Sequence, residues 1–405
     1  MIPRFVFDFQ ILRTLKLLLL KRRIIEEYEY EFAQTIGVTN AVAYPYGRTA
    51  LLCAIEVLGI RSSEIIVPAY TCSVVAHSVF LSGNKVRFCD VENKTFNIDL
   101  ISLDKTISKD TCAIIVTNNF GQSVNQELLG QLIRKHEAIN NKKIYLIQDC
   151  AYAFDAKWNG SNICNIGDIT IYGTNISKSV TSIFGGMLST RHEEFYYKAR
   201  EWQKNRLVGN QKFRNLRRLL YALTAKYALK PGFFNLTYIL ITKTKWLNKI
   251  LNSYHKDDVI AFPPDAFNKL SRIEAATGLI SIKYYDKNKK NRKELARRYS
   301  ELTRNIQNWN VINFDEGSNP SHFPIEVSNK NHLIRFFAER GVQIGEVIEY
   351  SIPHTNPYKK KITEQFPTSL ALSKSVINLP LNWEAFRKIK LILLDSESNN
   401  YTDLC

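Results

Sequence analysis

Between Thr39 and Thr190, short runs rich in valine and isoleucine alternate with stretches of helical periodicity. That alternation leaves few folds open. The strand candidates are Ala41–Tyr44, Glu64–Pro68, Lys85–Asp90, Ala113–Thr117, Ile144–Asp149, Ile169–Tyr172 and Met187–Ser189, and helical patterns such as Thr49–Leu58, Ser73–Ser82 and Gln126–Glu137 lie between them. Strands that are apolar along their whole length are buried on both faces, so the pattern specifies a mainly parallel α/β sheet covered by helices. In such sheets ligands gather at the carboxyl ends of the strands.

Two residues occupy that position. Asp149 ends the run Lys143–Asp149, and Lys178 follows Ile169–Tyr172 by a few residues, with Gly185-Gly186 close behind. A carboxylate can hold a protonated pyridine. A lysine whose amine is made neutral by burial or cationic neighbours can form an imine with an aldehyde. Each has a bland reading: Asp149 as a turn or cap residue, Lys178 as a solvated lysine, Gly185-Gly186 as a hairpin turn. Pro45–Ala50 joins a strand to a helix, and there Gly47 permits close backbone approach while the helix's free amides suit a phosphate. Arg48 and Thr49 add a charge and a hydroxyl. Tyr152 either contacts a cofactor ring or is a half-buried aromatic. His354, after Pro353, is either a substrate contact or structural. No Ser/His/Asp spacing, metal cluster or Walker-type loop is present, which argues against a hydrolase or a metalloenzyme.

At 405 residues, with 45% hydrophobic and 12% aromatic content, the chain is globular and large enough for two or three domains. The seven cysteines form no CxxC pair and several sit in apolar runs, which fits buried thiols in a reducing compartment. The apolar stretch Leu17–Leu20 is short and flanked by Lys16 and Lys21, and no run reaches the length of a membrane-spanning helix. A cytoplasmic location is expected.

The net charge of +17 is regional: Trp202–Lys256 holds twelve Lys or Arg and no Asp or Glu, interleaved with nine aromatics. Three readings stay open for this block. It is a helical insert over the active site or a dimer contact, its cations facing solvent or a diphosphate; or a membrane-peripheral surface for anionic lipid; or, with least support, a nucleic-acid contact, since no recognition motif accompanies it. The expected division is a helical segment over 1–31, a large domain over 32–200, the basic insert over 201–265, a long helix (about Ser271 to Asn305) with a small C-terminal α/β domain over 266–395, and a polar tail over 396–405. In the small domain, strands or helices are expected at Phe323–Val327, Lys330–Arg340, Val342–Ile344 and Val376–Leu379.

In sequence order the chain carries Gly47-Arg-Thr-Ala-Leu51, Ile65–Thr71, Val86–Val91 with Thr95–Asp99, Asn119–Gln122, Gln148–Ala153, Gly167-Asp168, Lys178 with Gly185-Gly186, Arg272–Gly278 and Asn378–Leu381. Taken together these fragments resemble the DegT/DnrJ/StrS nucleotide-sugar aminotransferases, enzymes of pyridoxal phosphate (PLP) fold type I. The resemblance implies a seven-stranded large domain, a smaller C-terminal domain and a homodimer with active sites at the subunit interface. It implies that Lys178 holds PLP as an imine and is the catalytic residue, and that Asp149 pairs with the ring nitrogen. Gly47, Arg48 and Thr49 would hold the phosphate, with Tyr152, Cys72 and Asn175 also around the cofactor, and Phe267-Asn268-Lys269 would reach the partner's phosphate. Glutamate is the implied donor and a nucleotide-linked ketosugar the implied acceptor.

Three positions depart from the family pattern. Gly173 stands where a phosphate-binding serine is usual, Cys72 where an aromatic often stacks on the ring, and Phe267 aligns with the asparagine lent across the dimer. Gly173, Cys72 and the basic block leave a catalytically silent, membrane-peripheral or regulatory protein on the same fold as an alternative. A sugar dehydratase is disfavoured, because dehydratases of the family carry histidine in place of the lysine.

Overall fold

The structure is a computed structural model that describes residues 1–209, 211–243, 259–360 and 363–397. In chain order, α1 (Ile11–Leu20) and α2 (Ile24–Ile36) lead into β1 (Asn40–Tyr44), α3 (Gly47–Val57), β2 (Glu64–Pro68), α4 (Ser73–Leu81) and β3 (Lys85–Cys89). Then come α5 (Leu100–Thr106), β4 (Thr111–Thr117), α6 (Gln126–Asn140), β5 (Tyr145–Asp149), a hairpin of β6 (Lys157–Trp158) and β7 (Ser161–Asn162), β8 (Ile169–Gly173) and β9 (Gly186–Thr190). The chain continues through α7 (Glu193–Arg206), α8 (Gln211–Ala228), α9 (Pro231–Lys243), α10 (Arg272–Lys283) and α11 (Tyr285–Thr303). It ends with β10 (Trp309–Val311), β11 (Phe323–Val327), α12 (Lys330–Glu339), α13 (Pro367–Ser375), β12 (Val376–Leu379) and α14 (Trp383–Glu397).

All seven expected strands enter one sheet, in the order β1-β9-β8-β5-β4-β2-β3. From β3 across to β8 every pairing is parallel, and β9 runs antiparallel between β1 and β8. Side chains alternate across each strand, so Ile65, Val67, Ala113 and Ile115 pack under α3, α4 and α7. Ile66, Ile114 and Val116 pack under α5 and α6 on the other face. Beside them α2 and α10 cover Ala41, Ala43, Tyr172 and Met187. These two helices approach closely because Gly278 lies where a Cβ would stand 2.4 Å from the Tyr28 ring. Phe32 is fully buried, edge-on to Phe154 and Tyr172 at 5.1 Å. Burying a ring of that size contributes roughly 2–3 kcal/mol.

The C-terminal part packs α11, α12 and α14 against the three-stranded antiparallel sheet β10-β11-β12. Several expectations need correction. Residues 1–10 are not helical: Pro3 disfavours a helix interior, and Ile2 instead pairs with Val342, joining the N-terminus to the small domain. Val342–Ile344 therefore forms a bridge rather than a strand. The expected single helix over 271–305 breaks at Tyr284 (φ −101°, ψ 6°), which turns the Tyr285 ring into the core with its hydroxyl donating to the Phe154 carbonyl at 3.2 Å. Helix α2 runs through the expected boundary at 31/32. Cys53, Cys89, Cys150 and Cys164 are buried free thiols. The expected polar tail beyond residue 397 and the part of the basic block over 244–258 lie outside the described residues.

Candidate active site

A cavity of about 380 Å³ opens at the carboxyl ends of β5 and β8. Asp149, the last residue of β5, projects into it and is 8% exposed. Burial pushes its carboxyl above the usual range, opposed by the Ala151 N–H, which donates to Oδ1 at 2.9 Å, and by the charge of Lys178. Lys178 enters from the segment between β8 and β9. Burial lowers its amine to about 8, against the fields of Cys72 and Asp149, which favour the cation. Its Nζ lies over the face of Tyr152.

The segment holding Lys178 is closed at both ends. The Thr174 N–H donates to the Gly185 carbonyl at 3.0 Å and the Ser182 N–H to the Thr174 carbonyl at 2.8 Å. Asn175 lines the cavity, and its Oδ1 accepts from the Ser177 backbone at 3.0 Å and hydroxyl at 2.7 Å, while its carbonyl accepts from the Lys178 N–H. Gly185 has φ +111°, and a Cβ there would stand 2.4 Å from Ser182 Oγ. No other residue type fits this return.

The opposite wall is the N-terminal end of α3. Gly47 is its first residue, and its Cα is crossed at close range by Gly173 and Gly186: a Cβ on Gly186 would lie 2.5 Å from Gly47 N. Gly47 and Arg48 line the cavity, as does Cys72 at the start of α4. Thr49 is the exception among the expected residues. Its hydroxyl donates to the Ala266 carbonyl at 2.9 Å and its side chain is fully buried, facing away from the cavity. His354 is exposed, with Nδ1 3.0 Å from Ser351 Oγ, and is not a lining residue.

Behind the α3 turn lies a buried ion network. Tyr46 donates to Asp265 Oδ1 at 2.7 Å and accepts from Arg218 at 2.9 Å. Arg214 and Arg218 both pair with Asp265 and with Glu274, whose side chain is completely buried at the start of α10. These two cations of the basic block thus face carboxylates, where the helical-insert reading of the sequence has the block's cations facing solvent or a diphosphate. Phe267 packs on the large-domain core, while Asn268 lines a small cavity beside Arg214 and Arg218.

Sequence reasoning missed Arg4, Glu346, Glu349 and Tyr350, which close the cavity mouth from the N-terminus and the small domain. No local motif marks them; the Ile2–Val342 pairing brings Arg4 to Glu346, whose carbonyl accepts from it at 3.0 Å, and the Ser73 N–H donates to the Tyr350 hydroxyl at 2.9 Å. It also missed His322, edge-on to Tyr152 at 5.4 Å. Burial and the nearby cations Lys178, Arg4 and Arg292 push this imidazole down to about 3, so it is neutral at ordinary pH. Among the described residues no group of His, Cys, Asp and Glu could hold a metal ion.

The sequence profile of the DegT/DnrJ/EryC1/StrS aminotransferase family matches residues 15–230 and 253–387. The spore coat polysaccharide biosynthesis protein SpsC of Bacillus subtilis (strain 168) is 24% identical over 371 residues, 88% of this chain and 84% of that protein. A dTDP-3-amino-3,6-dideoxy-alpha-D-galactopyranose transaminase of Aneurinibacillus thermoaerophilus is 24% identical over 366 residues, 88% of this chain and 85% of that protein. In structure, the sugar aminotransferase CalS13 of Micromonospora echinospora superposes with a TM-score of 0.76 at 18% identity, covering 98% of this chain and 100% of that one.

Proposed function

The chain belongs to the DegT/DnrJ/EryC1/StrS aminotransferase family, and from that membership we propose that it moves an amino group from glutamate to the keto carbon of a nucleotide-linked sugar. The product would enter a cell-surface polysaccharide. The observation that carries the proposal is the shared cavity of Lys178 and Asp149. The names of the two relatives, one a polysaccharide biosynthesis protein and one a nucleotide-sugar transaminase, support the substrate class.

The cofactor is pyridoxal phosphate, and the residues fit it. A buried carboxyl and an amine of lowered pKa share the cavity, the bare backbone of Gly173 faces it beside Lys178, and Gly47 with Gly186 lets the start of α3 close against β9 so that its first residues line the same cavity. Lys178 would hold the cofactor covalently, Asp149 would accept a hydrogen bond from its ring nitrogen, and Gly47 and Arg48 would bind its phosphate. Tyr152 and Cys72 would flank the ring, and Asn175 would fix the turn that carries Lys178. When bound, the cofactor supplies the electron sink and carries the amino group between donor and acceptor.

The chain's own part is proton movement and positioning. With its amine near 8, Nζ of Lys178 is neutral often enough to take a proton from the substrate carbon that loses the amine, and to return one to the carbon that gains it. Asp149, oriented by the Ala151 N–H, would present its carboxyl to the ring nitrogen, whose positive charge would offset the burial that pushes this carboxyl upward. Neutral His322 supports the Tyr152 face without adding a second cation beside Lys178. A lysine at this position favours transamination over dehydration.

A homodimer in the cytoplasm, with Phe267-Asn268-Lys269 reaching the partner's site, is part of the same proposal. So is the division into an N-terminal segment, a large domain, the insert and a small domain.

The test is product formation. Purified protein incubated with glutamate and a panel of nucleotide-linked ketosugars is expected to yield an aminosugar by mass spectrometry, and borohydride is expected to fix the cofactor to Lys178. Absence of aminosugar across the panel, or labelling that persists in Lys178→Ala, would overturn it.

A further inference from the structure

Helices α8 and α9 bury an apolar face that includes Ala222, Leu219 and Phe234, and they carry a second apolar stripe on their outer surface. On α8 the arginines Arg214 and Arg218 point inward, to Asp265 and Glu274. Phe213, Leu216, Leu220 and Tyr227 point outward, each more than half exposed. They fall at i, i+3, i+7 and i+14, a single stripe along one face. On α9, Phe233 and Leu236 repeat the i, i+3 spacing and are again exposed. Helix α9 lies in the gap, residues 231–252, between the two stretches matched by the family profile, so it is an addition to the shared framework. Packed α8–α9 helices carrying such a stripe need a partner, because large apolar patches rarely face water without one.

Charge identifies that partner. Trp202–Lys256 contains no carboxylate, and Arg217 and Lys230 are exposed beside the apolar stripe. A second copy packed stripe to stripe would set Arg217 and Lys230 against their own counterparts, cation against cation, a contact different from the proposed dimer contact through Phe267-Asn268-Lys269. We propose that the α8–α9 face docks the protein on an anionic phospholipid surface. Leu216, Leu220 and Leu236 enter the acyl boundary while Arg217 and Lys230 reach the lipid phosphates along their aliphatic stems. No helix among the described residues is long and apolar enough to cross a membrane.

The experiment is co-sedimentation of the full chain with vesicles of phosphatidylglycerol and phosphatidylethanolamine, with phosphatidylcholine vesicles as control. The wild type is expected to pellet with the anionic vesicles alone and to be released by salt. The triple variant Leu216→Ser/Leu220→Ser/Leu236→Ser is expected to lose partitioning by roughly 100-fold. Its far-ultraviolet circular dichroism should be unchanged, since all three side chains already face water. The variant Arg217→Gln/Lys230→Gln, which leaves every apolar contact in place, is expected to weaken binding and flatten its salt dependence. Failure of the wild type to bind anionic vesicles would overturn the proposal, as would binding that neither variant alters. A fall in oligomeric state of the triple variant by analytical ultracentrifugation, with vesicle binding intact, would reassign the face to a second copy.

Discussion

The amine of Lys178 lies over the ring of Tyr152, with Nζ 3.1 Å from the ring centroid. The negative face of the ring favours the ammonium, while burial favours the neutral amine, and burial prevails because the pKa falls from 10.5 to about 8. Tyr152 therefore holds the amine in place without returning it to the pKa of a solvated lysine.

That balance sets a stability slope. Between about pH 8 and 10.5 the unfolded chain binds a proton at Lys178 that the folded chain has lost, so the cofactor-free protein gains stability as pH rises through this window. Below pH 8 the folded state bears the full cost of the buried cation. Lys178→Met is expected to be more stable than the wild type at pH 7, by about 1–3 kcal/mol in urea unfolding of the cofactor-free form, with the advantage fading above pH 8. An advantage independent of pH would contradict this.

His322 gives a slope at the acid end. Its imidazole is near 3 when folded and 6.5 when exposed, so the unfolded chain binds the extra proton below pH 6.5 and folded-state stability falls as pH drops from 6.5 toward 3. His322→Gln lacks that proton. Its urea midpoint is expected to fall less steeply than the wild type's, the difference reaching about 1–3 kcal/mol near pH ~4.5. Parallel midpoint-versus-pH curves would count against the assignment.

Glycines on either side of Lys178 are expected to behave differently. At Gly185 an added Cβ meets Ser182 Oγ at 2.4 Å and Thr174 Oγ1 at 2.8 Å with φ at +111°. Gly185→Ala should cost roughly 2 kcal/mol or more and lower kcat at least tenfold by shifting the lysine segment. At Gly173 the nearest atoms to an added Cβ are Ala151 Cβ at 3.5 Å and Lys178 Cε at 3.6 Å, which is ordinary contact. Gly173→Ser, the residue usual in the resembling family, should fold normally and bind cofactor no less tightly, as read by absorbance titration.

The ion network behind the α3 turn should be costly to break. Arg218→Ala removes one partner from Tyr46, Asp265 and the fully buried Glu274. Leaving carboxylates underpaired in the interior is expected to destabilise the protein by about 3–5 kcal/mol, measured by chemical unfolding. A loss below 1 kcal/mol would mean Arg214 alone satisfies both acids.

Much of this site was legible from residue order. Each strand of the large sheet announced itself because burial on both faces demands continuous apolar runs, and Asp149 was placed at a strand end by that rule. Lys178 was legible only as a lysine shortly after such a strand; its depressed amine depends on walls contributed by distant segments. Thr49 was misread because a hydroxyl one turn into a helix can face either the ligand or the neighbouring chain, and the Ala266 carbonyl claims it. Arg214 and Arg218 read as surface cations, since nothing nearby in sequence reveals Asp265 and Glu274 as their partners. Arg4 and Glu346 were invisible because a single backbone pairing, Ile2 with Val342, brings them to the cavity mouth.

Gly173 and Gly186 pair across β8 and β9, so the segment bearing Lys178 leaves the sheet and rejoins it at one point. The lysine hangs from a closed ring of backbone whose clasp is the strand ladder itself. Its attachment point is thus inherited from strand register. A chain that has paired β8 with β9 has also delivered its amine to the end of β5, before any ligand arrives to organise the pocket.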